Sequence, residues 1–238
     1  MKKIICSVLL LCTVVIGMAQ KEIINDANAE VRPVSGSFNS IKVSGGIQLF
    51  LTQSDEEAVV VSASENKFKD GIKTVVENNT LKIYYFGDKN WSIKNRSLRV
   101  YVSFKNLESL DASGASDVQV AGIITSSSLS VSLSGASDFK GAIKVTELKM
   151  ECSGASDVTI KGIAETVNLE TSGASDIKGY ELVTNTCKAK ASGASDVHIT
   201  VNKTLSASAS GSSDISYKGD AEVKEVHSSG SSSVSKKG

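Results

Sequence analysis

Six aspartates recur along the second half of the chain at a nearly constant spacing. They are Asp117, Asp138, Asp157, Asp176, Asp196 and Asp214, and each ends a phrase of the form Ser-Gly-Ala/Ser-Ser-Asp. Stacked carboxylates that follow a glycine could bind calcium, an ion that takes oxygen ligands. Each side chain could instead accept hydrogen bonds from backbone amides at a tight turn. Because each repeat offers one Asp beside Ser, the sequence favours the turn role and predicts no metal site, with calcium as the open alternative.

General acid or base catalysis has few candidate residues. Histidine occurs only at His198 and His227, and arginine only at Arg32, Arg96 and Arg99, before the repeats begin. A glycosidase needs two carboxylates in different environments, one of them held protonated. The repeated aspartates instead share one environment. We therefore predict a protein with no catalytic residues and no cofactor, and a polysaccharide-degrading enzyme on a β-helix is the least favoured alternative.

The aspartates owe their spacing to a sequence repeat. SGASD occurs five times and is followed by SGSSD and SGSSS, and the glycines lie at 114, 135, 154, 173, 193, 211 and 230. The steps between them are 21, 19, 19, 20, 18 and 19 residues. Before each glycine apolar and polar residues alternate, as in Leu129, Val131 and Leu133, which indicates a half-buried strand. A second short alternating run follows each Asp, so each repeat predicts two strands and two turns.

A unit of about 19 residues is too short to hold a helix between its two strands. Parallel pairing of each strand with its equivalent in the next repeat would give coils stacked at ~4.8 Å, and the crossover rule predicts a right-handed path. We therefore predict an all-β fold, a right-handed parallel β-helix-like solenoid of two apposed sheets with ~19-residue rungs and SGASD turns. Identical residues should then lie in columns, with glycine at the corner because a tight turn demands unusual backbone angles.

The beginning of the chain predicts export. Lys2 and Lys3 precede an apolar run from Ile4 to Ile16, and small residues follow before Gln20. This pattern is typical of a secretory signal peptide and is too short for a membrane span. We predict a signal peptide over 1–19, a mobile leader over 20–33 and a single domain over 34–238. Within that domain, 34–110 form an irregular half with the N-terminal cap, 87–95 a protruding loop, and 111–238 the regular repeats.

Charge and cysteine content restrict the partners and the redox chemistry. Removal of residues 1–19 leaves 26 − 2 = 24 basic and 26 acidic residues, a net charge of −2. Nucleic acid is therefore not an expected partner, because phosphate binding needs a basic stripe. No second apolar stretch reaches membrane-spanning length. Cys152 and Cys187 would lie two rungs apart in different columns, ~10 Å or more from each other, so we predict no disulfide.

Two segments before the repeats resemble a known family. The runs IKVSGGIQLFLTQ, from Ile41, and VVENNTLKI, from Val75, are followed by the repeated SGASD phrase. Together they are similar to the auto-transporter adhesin head domain called GIN, whose three letters correspond here to Gly46-Ile47-Gln48, with Gln in place of Asn. The resemblance covers about 34–238. It implies a β-helical domain with Gly/Ser turns and adhesion as its role.

Export, a rigid polar β surface and this resemblance together predict the function. We expect a non-catalytic secreted or cell-surface binding module, an adhesin that presents a polar β face to a protein or glycan on host or neighbouring cells. The alternative is a periplasmic structural or envelope-assembly protein. The sequence leaves open the identity of the ligand, the choice between surface and periplasm, and the oligomeric state, a homo-oligomer included.

Overall fold

The computed structural model describes residues 28–87 and 96–238. The chain is nearly all-β and forms a β-solenoid of about 7 turns with ~19-residue rungs, which confirms the predicted fold class. The predicted signal peptide over 1–19, most of the predicted leader and residues 88–95 of the predicted loop lie outside the described residues. Within the described part, no helix is long and apolar enough to cross a membrane.

The described residues form sixteen strands and one short helix. The irregular half contains β1 (Glu30–Arg32), β2 (Ser40–Ser44), β3 (Gln48–Gln53), β4 (Ala58–Ser62), α1 (Asn66–Gly71), β5 (Ile72–Glu77), β6 (Thr80–Tyr85), β7 (Arg99–Phe104) and β8 (Ser109–Ser113). The regular half contains β9 (Asp117–Leu133), β10 (Asp138–Cys152), β11 (Asp157–Thr171), β12 (Asp176–Ala191), β13 (Asp196–Gly211), β14 (Asp214–Lys218), β15 (Glu222–Gly230) and β16 (Ser233–Lys236).

In the regular half each of the strands β9 to β13 is long and bends once. The five strands run 15 to 17 residues and pair in parallel with their neighbours. The two strand segments predicted for each repeat are thus joined into one strand, because pairing continues beyond the bend. At the bend two successive residues are exposed, as at Thr146 and Glu147. The alternation of buried and exposed side chains therefore resumes one residue later beyond the bend.

The core is a narrow file of apolar side chains that point into every coil. One wall is the column Val118, Phe139, Val158, Ile177, Val197 and Ile215, whose members are all almost fully buried. The facing column, which precedes each corner, runs Leu133, Cys152, Thr171, Ala191 and Ala209. The side chains of this second column become smaller toward the C-terminus, so the two walls can approach each other closely.

The solenoid begins with the coil that β2 and β3 form. β2 pairs in parallel with β8, and β3 pairs in parallel with β9, although residues 54–108 intervene in sequence. Residues 54–108 lie against the other edges of β2 and β3, where β6 pairs with β2 and β7 pairs with β3. The antiparallel strands β4, β1 and β5 then end the parallel stacking and cover the N-terminal coil.

The strand β1 corrects one prediction. It lies within 20–33, the segment predicted as a mobile leader, yet Glu30–Arg32 pairs antiparallel with Val59–Val61 of β4. The side chain of Arg32 also forms an ion pair with Glu30 at 2.9 Å and donates a hydrogen bond to the Lys69 carbonyl oxygen. Pairing with β4 therefore orders these three residues as part of the cap.

Candidate functional site

Each SGASD corner places a glycine in a column along the solenoid. The seven glycines of the repeat have φ between 77° and 86°, which L side chains rarely adopt. From the second copy onward, a β-carbon at this position would also collide with the glycine backbone of the preceding coil. The corner therefore accepts only glycine, for two independent reasons.

The fourth residue of each corner is a fully buried serine. Ser116, Ser137, Ser156, Ser175, Ser195 and Ser213 each have 0% exposure. The Ser137 hydroxyl donates to the carbonyl oxygen of Ser134 at 3.0 Å and accepts the backbone amide of Ser116 at 3.4 Å. The same hydroxyl thus closes its own turn and joins it to the preceding coil. The SGASD repeat predicted that these serines lie in turns but not that they are buried.

The aspartates lie in one column, as predicted. Asp117 is in register with Asp138, Asp157 with Asp176, and Asp196 with Asp214. The carboxylates of Asp138, Asp176, Asp196 and Asp214 each accept a backbone amide, but that amide belongs to the next coil rather than to the same turn. Asp157, for example, donates its amide to Asp138 Oδ1 at 3.2 Å. The bonds therefore link coils, which corrects the predicted bond within each turn.

The aspartate column also has an electrostatic asymmetry. Burial raises the pKa of the Asp117 carboxyl, and the negative charge of Asp138 raises it further. Before Asp117 the column continues with neutral Gln48 and then Arg99, each in register with its neighbour. In residues 28–87 and 96–238, no group of three or more His, Cys, Asp and Glu side chains is arranged to hold a metal ion.

The structure contains one more corner than the repeat indicated. Gly45 has φ +94°, and its backbone nitrogen lies 3.4 Å from the position of a β-carbon on Gly114. Ile47 takes the place of the buried serine, and its carbonyl oxygen accepts the Asp117 amide at 3.0 Å. The motif Gly46-Ile47-Gln48 is therefore the first corner of the solenoid. This corner does not match the repeat pattern, because an apolar residue occupies the serine position.

A flat array of outward polar side chains lies between the bend and the corner of the coils β9 to β13. We call this array the polar face. Its three columns in five coils contain Ser128, Ser130 and Ser132; Glu147, Lys149 and Glu151; Thr166, Asn168 and Glu170; Thr186, Lys188 and Lys190; and Thr204, Ser206 and Ser208. Its three lysines and three glutamates balance, so its net charge is 3 − 3 = 0. Coils ~4.8 Å apart and columns ~7 Å apart make it a regular grid.

A concave groove lies on the other side of the bend, across β9 to β13. It has a volume of ≈ 970 Å³ and is lined by Gln119, Val120, Gly122, Ile123, Lys140, Gly141, Ala142, Thr159, Ile160, Lys161, Lys178, Tyr180, Glu181 and His198. A volume of this size falls within the range of small-molecule sites. The alternation of polar and apolar residues did not predict this groove.

Two bulges bound the groove. In β9, Val120 to Gly122 stand opposite the single residue Gly141 of β10. In β12, Tyr180 to Leu182 have no partners in β13. The two bulges lie in the rungs of 21 and 20 residues, the longest of the repeat. The departures from 19 residues were therefore the sequence signal of the groove.

His198 lies at the C-terminal end of the groove. Its ring packs edge-on against Tyr180, with centroids 4.8 Å apart, and Lys218 Nζ lies 4.9 Å from the Tyr180 ring centroid. His198 is half-buried, and its Nδ1 makes no hydrogen bond with a described residue. His227 is exposed on β15, so the two histidines are not brought together.

Comparison with known proteins decides the family. The family model described as "Putative auto-transporter adhesin, head GIN domain" matches residues 37–221, more than half of the chain. The chain belongs to this family. Among curated proteins, none matches the GIN domain described here.

Solved structures share the fold of this GIN domain. A putative adhesin from Bacteroides fragilis is 21% identical with a TM-score of 0.79, over 88% of this chain and 96% of its own. A putative lipid binding protein from Parabacteroides distasonis is 21% identical with a TM-score of 0.67, over 90% and 98%. A putative adhesin from the same organism is 22% identical with a TM-score of 0.67, over 89% and 98%. At these identities the likeness concerns the fold alone.

The structure also locates the cysteines of the GIN domain. Cys152 and Cys187 are both buried and free, on β10 and β12. Burial raises the pKa of each thiol to about 12. Since the thiolate is the nucleophile, both side chains are inert core residues at neutral pH.

Proposed function

We propose that this GIN domain is an exported, non-catalytic binding module that presents its polar face to a protein or glycan, in the manner of an adhesin. The observation that carries the proposal is the polar face itself. Its three columns hold hydroxyl, amide, carboxylate and ammonium groups, and no apolar or aromatic side chain. These groups are donors and acceptors suited to sugar hydroxyls or to a polar protein surface.

The rigidity of the grid supports recognition rather than catalysis. Every strand beneath the polar face is paired on both sides, so the side chains project from a fixed backbone. A preorganised surface loses less conformational freedom on binding. Some of its groups are also held by neighbours, as where Lys149 Nζ lies 2.6 Å from Glu151 Oε1.

Binding arrays test this proposal. The chain from Gln20 onward is applied to glycan and matrix-protein arrays beside a variant with Glu170→Lys and Lys190→Glu, which reverses two exposed charges of the polar face. The matched control is Lys203→Glu, an exposed lysine at the bend of β13. We expect the double variant to bind at least about tenfold more weakly and the control to bind normally. Equal binding by all three proteins would contradict the polar face as the site.

Location separates the adhesin from the alternative, a periplasmic structural or envelope-assembly protein. An adhesin must be reachable from outside the cell. We expect external protease and antibody to reach the domain on intact cells. Protection until the outer envelope is opened would support the periplasmic alternative instead.

A second candidate function is binding of an apolar ligand, and the groove is the observation that favours it. The name of the Parabacteroides distasonis neighbour refers to lipid binding. In this chain, Val120, Ile123 and Ala142 give the groove an apolar lining that the polar face lacks. The two surfaces lie on opposite sides of the bend in the same strands, so their ligands can be tested separately.

A further inference from the structure

The groove exposes apolar side chains on an otherwise polar solenoid. Ile123 is 57% exposed at the bulge of β9, and Val120 and Ala142 lie beside it in the lining. Ile163 and Val183, exposed at 54% and 38%, lie in register with each other, two residues beyond Lys161 and Glu181 of the lining. A concave apolar surface of this kind marks a ligand site more often than isolated exposed residues do.

Lysines surround the middle of this apolar surface. Lys140, Thr159 and Lys178 lie in one outward column, and Lys161 lies two residues beyond Thr159. With Glu181 as the one carboxylate, the lining carries a charge of 3 − 1 = +2. Within the described residues Lys140 and Lys161 form no ion pair, and Lys178 reaches Asp157 only at 3.9 Å. The groove therefore keeps positive charge available beside an apolar floor.

We propose that the groove binds a single-chain amphiphile with a carboxylate head, a ligand of the fatty-acid class. The head would lie at Thr159 among Lys140, Lys161 and Lys178. The chain would extend over Ala142, Val120 and Ile123, toward the stacked rings of Phe50 and Tyr101, whose centroids are 4.9 Å apart. Phe50 is in register with Gln119, so these rings continue the same outward column beyond the groove. This assignment rests on the second candidate function and is independent of the polar face.

Other occupants fit the groove less well. An added peptide strand needs a free sheet edge, but β9 to β12 are paired on both sides. An acidic glycan would meet the lysines but would leave Ile123 and Val120 without an apolar partner. A cationic amphiphile would face a net charge of the same sign. Only an anionic amphiphile complements both the floor and the lysines.

Calorimetry with the chain from Gln20 onward tests this ligand class. The probes are dodecanoate, dodecyltrimethylammonium, butyrate and tri-galacturonate, the amphiphiles being used below their micelle-forming concentrations. We expect dodecanoate to bind with a stoichiometry near one. We expect butyrate to bind at least about tenfold more weakly, since its chain has fewer methylene groups to bury in the groove. The cationic amphiphile and the acidic trisaccharide should also bind at least about tenfold more weakly.

Two sets of variants place the ligand in the groove. The triple variant Lys140→Gln, Lys161→Gln, Lys178→Gln should weaken dodecanoate binding by about tenfold or more, because several weak charge interactions are lost together. Its matched control is Lys149→Gln, Lys188→Gln, Lys190→Gln on the polar face, which should stay within about twofold of the parent chain. Ile123→Ser should weaken binding, and Val226→Ser, a change at an apolar residue of β15 that is 47% exposed, should not.

Each remaining outcome overturns the proposal. If dodecanoate binds the groove variants and their controls with equal affinity, its binding site lies outside the groove. If the cationic amphiphile binds as tightly as dodecanoate, the groove is an apolar surface that does not select by charge. If the trisaccharide binds more tightly than dodecanoate, the groove is a glycan site. Absence of dodecanoate binding to the folded chain would also overturn it. Circular dichroism melts show that each variant is folded, and the glycan and matrix-protein arrays report independently on the polar face.

Discussion

The carbonyl oxygen of Gly114 lies 2.5 Å from the position that a β-carbon on Gly135 would occupy. Real β-carbons do not approach a backbone oxygen so closely, so this contact is open only to glycine. The glycines of later coils repeat the relationship, each against the glycine of the coil before it. The close approach lets the Ala136 amide donate to the Gly114 carbonyl oxygen at 2.8 Å. Glycine at the corner thus permits the coil-to-coil hydrogen bond.

The substitution Gly135→Ala should therefore lower the free energy of unfolding far more than Gly122→Ala does. Both glycines have positive φ, but a β-carbon on Gly122 would meet nothing within 4 Å. Gly122→Ala should lose about 1 kcal/mol of unfolding free energy, the cost of the strained φ alone. Gly135→Ala should lose about 3 kcal/mol or more, because the backbone of two coils must also move apart. Urea denaturation measures both, and equal losses would contradict the packing argument.

The buried serines should stabilise the stack through their hydroxyls. The Ser156 hydroxyl donates to the Ser153 carbonyl oxygen at 3.1 Å and accepts the Ser137 amide at 3.4 Å. Ser156→Ala leaves both backbone groups buried with one partner fewer, and we expect a loss of about 2 kcal/mol. Ser208→Ala on the polar face should change the unfolding free energy by less than about 0.5 kcal/mol. Denaturant melts of the two variants compare them directly.

Asp117 should oppose folding at neutral pH. Its folded pKa lies above the unfolded value of 3.8, so the folded state binds the proton more tightly. The charged form is then unfavourable above the folded pKa, and this effect disappears as pH falls below 3.8. Asp117→Asn should raise Tm by about 1 to 2 °C at pH 7, and the gain should vanish near pH 3. A gain that persisted at low pH would contradict the electrostatic cause.

Asp214 supplies the matched contrast in the same column. Its Oδ1 accepts the Ser233 amide at 3.1 Å and the Ser233 hydroxyl at 2.7 Å. No described residue donates a hydrogen bond to the Asp117 carboxylate. Asp214→Ala should therefore lower the unfolding free energy by about 1 kcal/mol and expose the last coil to amide hydrogen exchange. Unchanged exchange in β16 would show that these bonds do not hold the coil.

The two thiols should not react in the folded protein. Burial raises the pKa of Cys152 and Cys187 to about 12, so little thiolate forms at pH 8 and reagent cannot reach it. We expect iodoacetamide to leave the folded chain from Gln20 onward unlabelled at pH 8 and to label both cysteines in denaturant. Rapid labelling of the folded chain would indicate an open core around β10 and β12.

The repeat predicted the coils and their columns because local turn chemistry and period-two alternation determine both. The register of Asp117 with Asp138 follows from sequence spacing alone. The pairing of β2 with β8 was not predicted, because residues 54–108 separate the two strands and the Ser-Gly pair that ends each of them is followed at Ile47 by an apolar residue instead of the serine of the repeat. Only tertiary structure shows that Gly45 and Gly114 stack. Likewise, β1 pairs with β4 through a short segment that shows no periodicity of its own.

The groove could not be predicted from the sequence for a different reason. The extra residues in the rungs of 21 and 20 residues are visible in the sequence, but their effect depends on where the register slips. Insertion at a corner would have lengthened a loop, whereas insertion within β9 and β12 produced two bulges on either side of β10 and β11. Lys140 and Lys161 therefore share a concave surface that alternation alone describes as two ordinary solvent-facing positions.

The nearly identical corners have a consequence for how such a chain can change in length. Coils β10 and β11 present the same glycine and serine bonds to the neighbours before and after them. Duplication or loss of one complete unit would therefore leave matching surfaces at the junction, as in other linear repeat proteins. Duplication of this kind lengthens the solenoid one coil at a time while the turn chemistry stays constant.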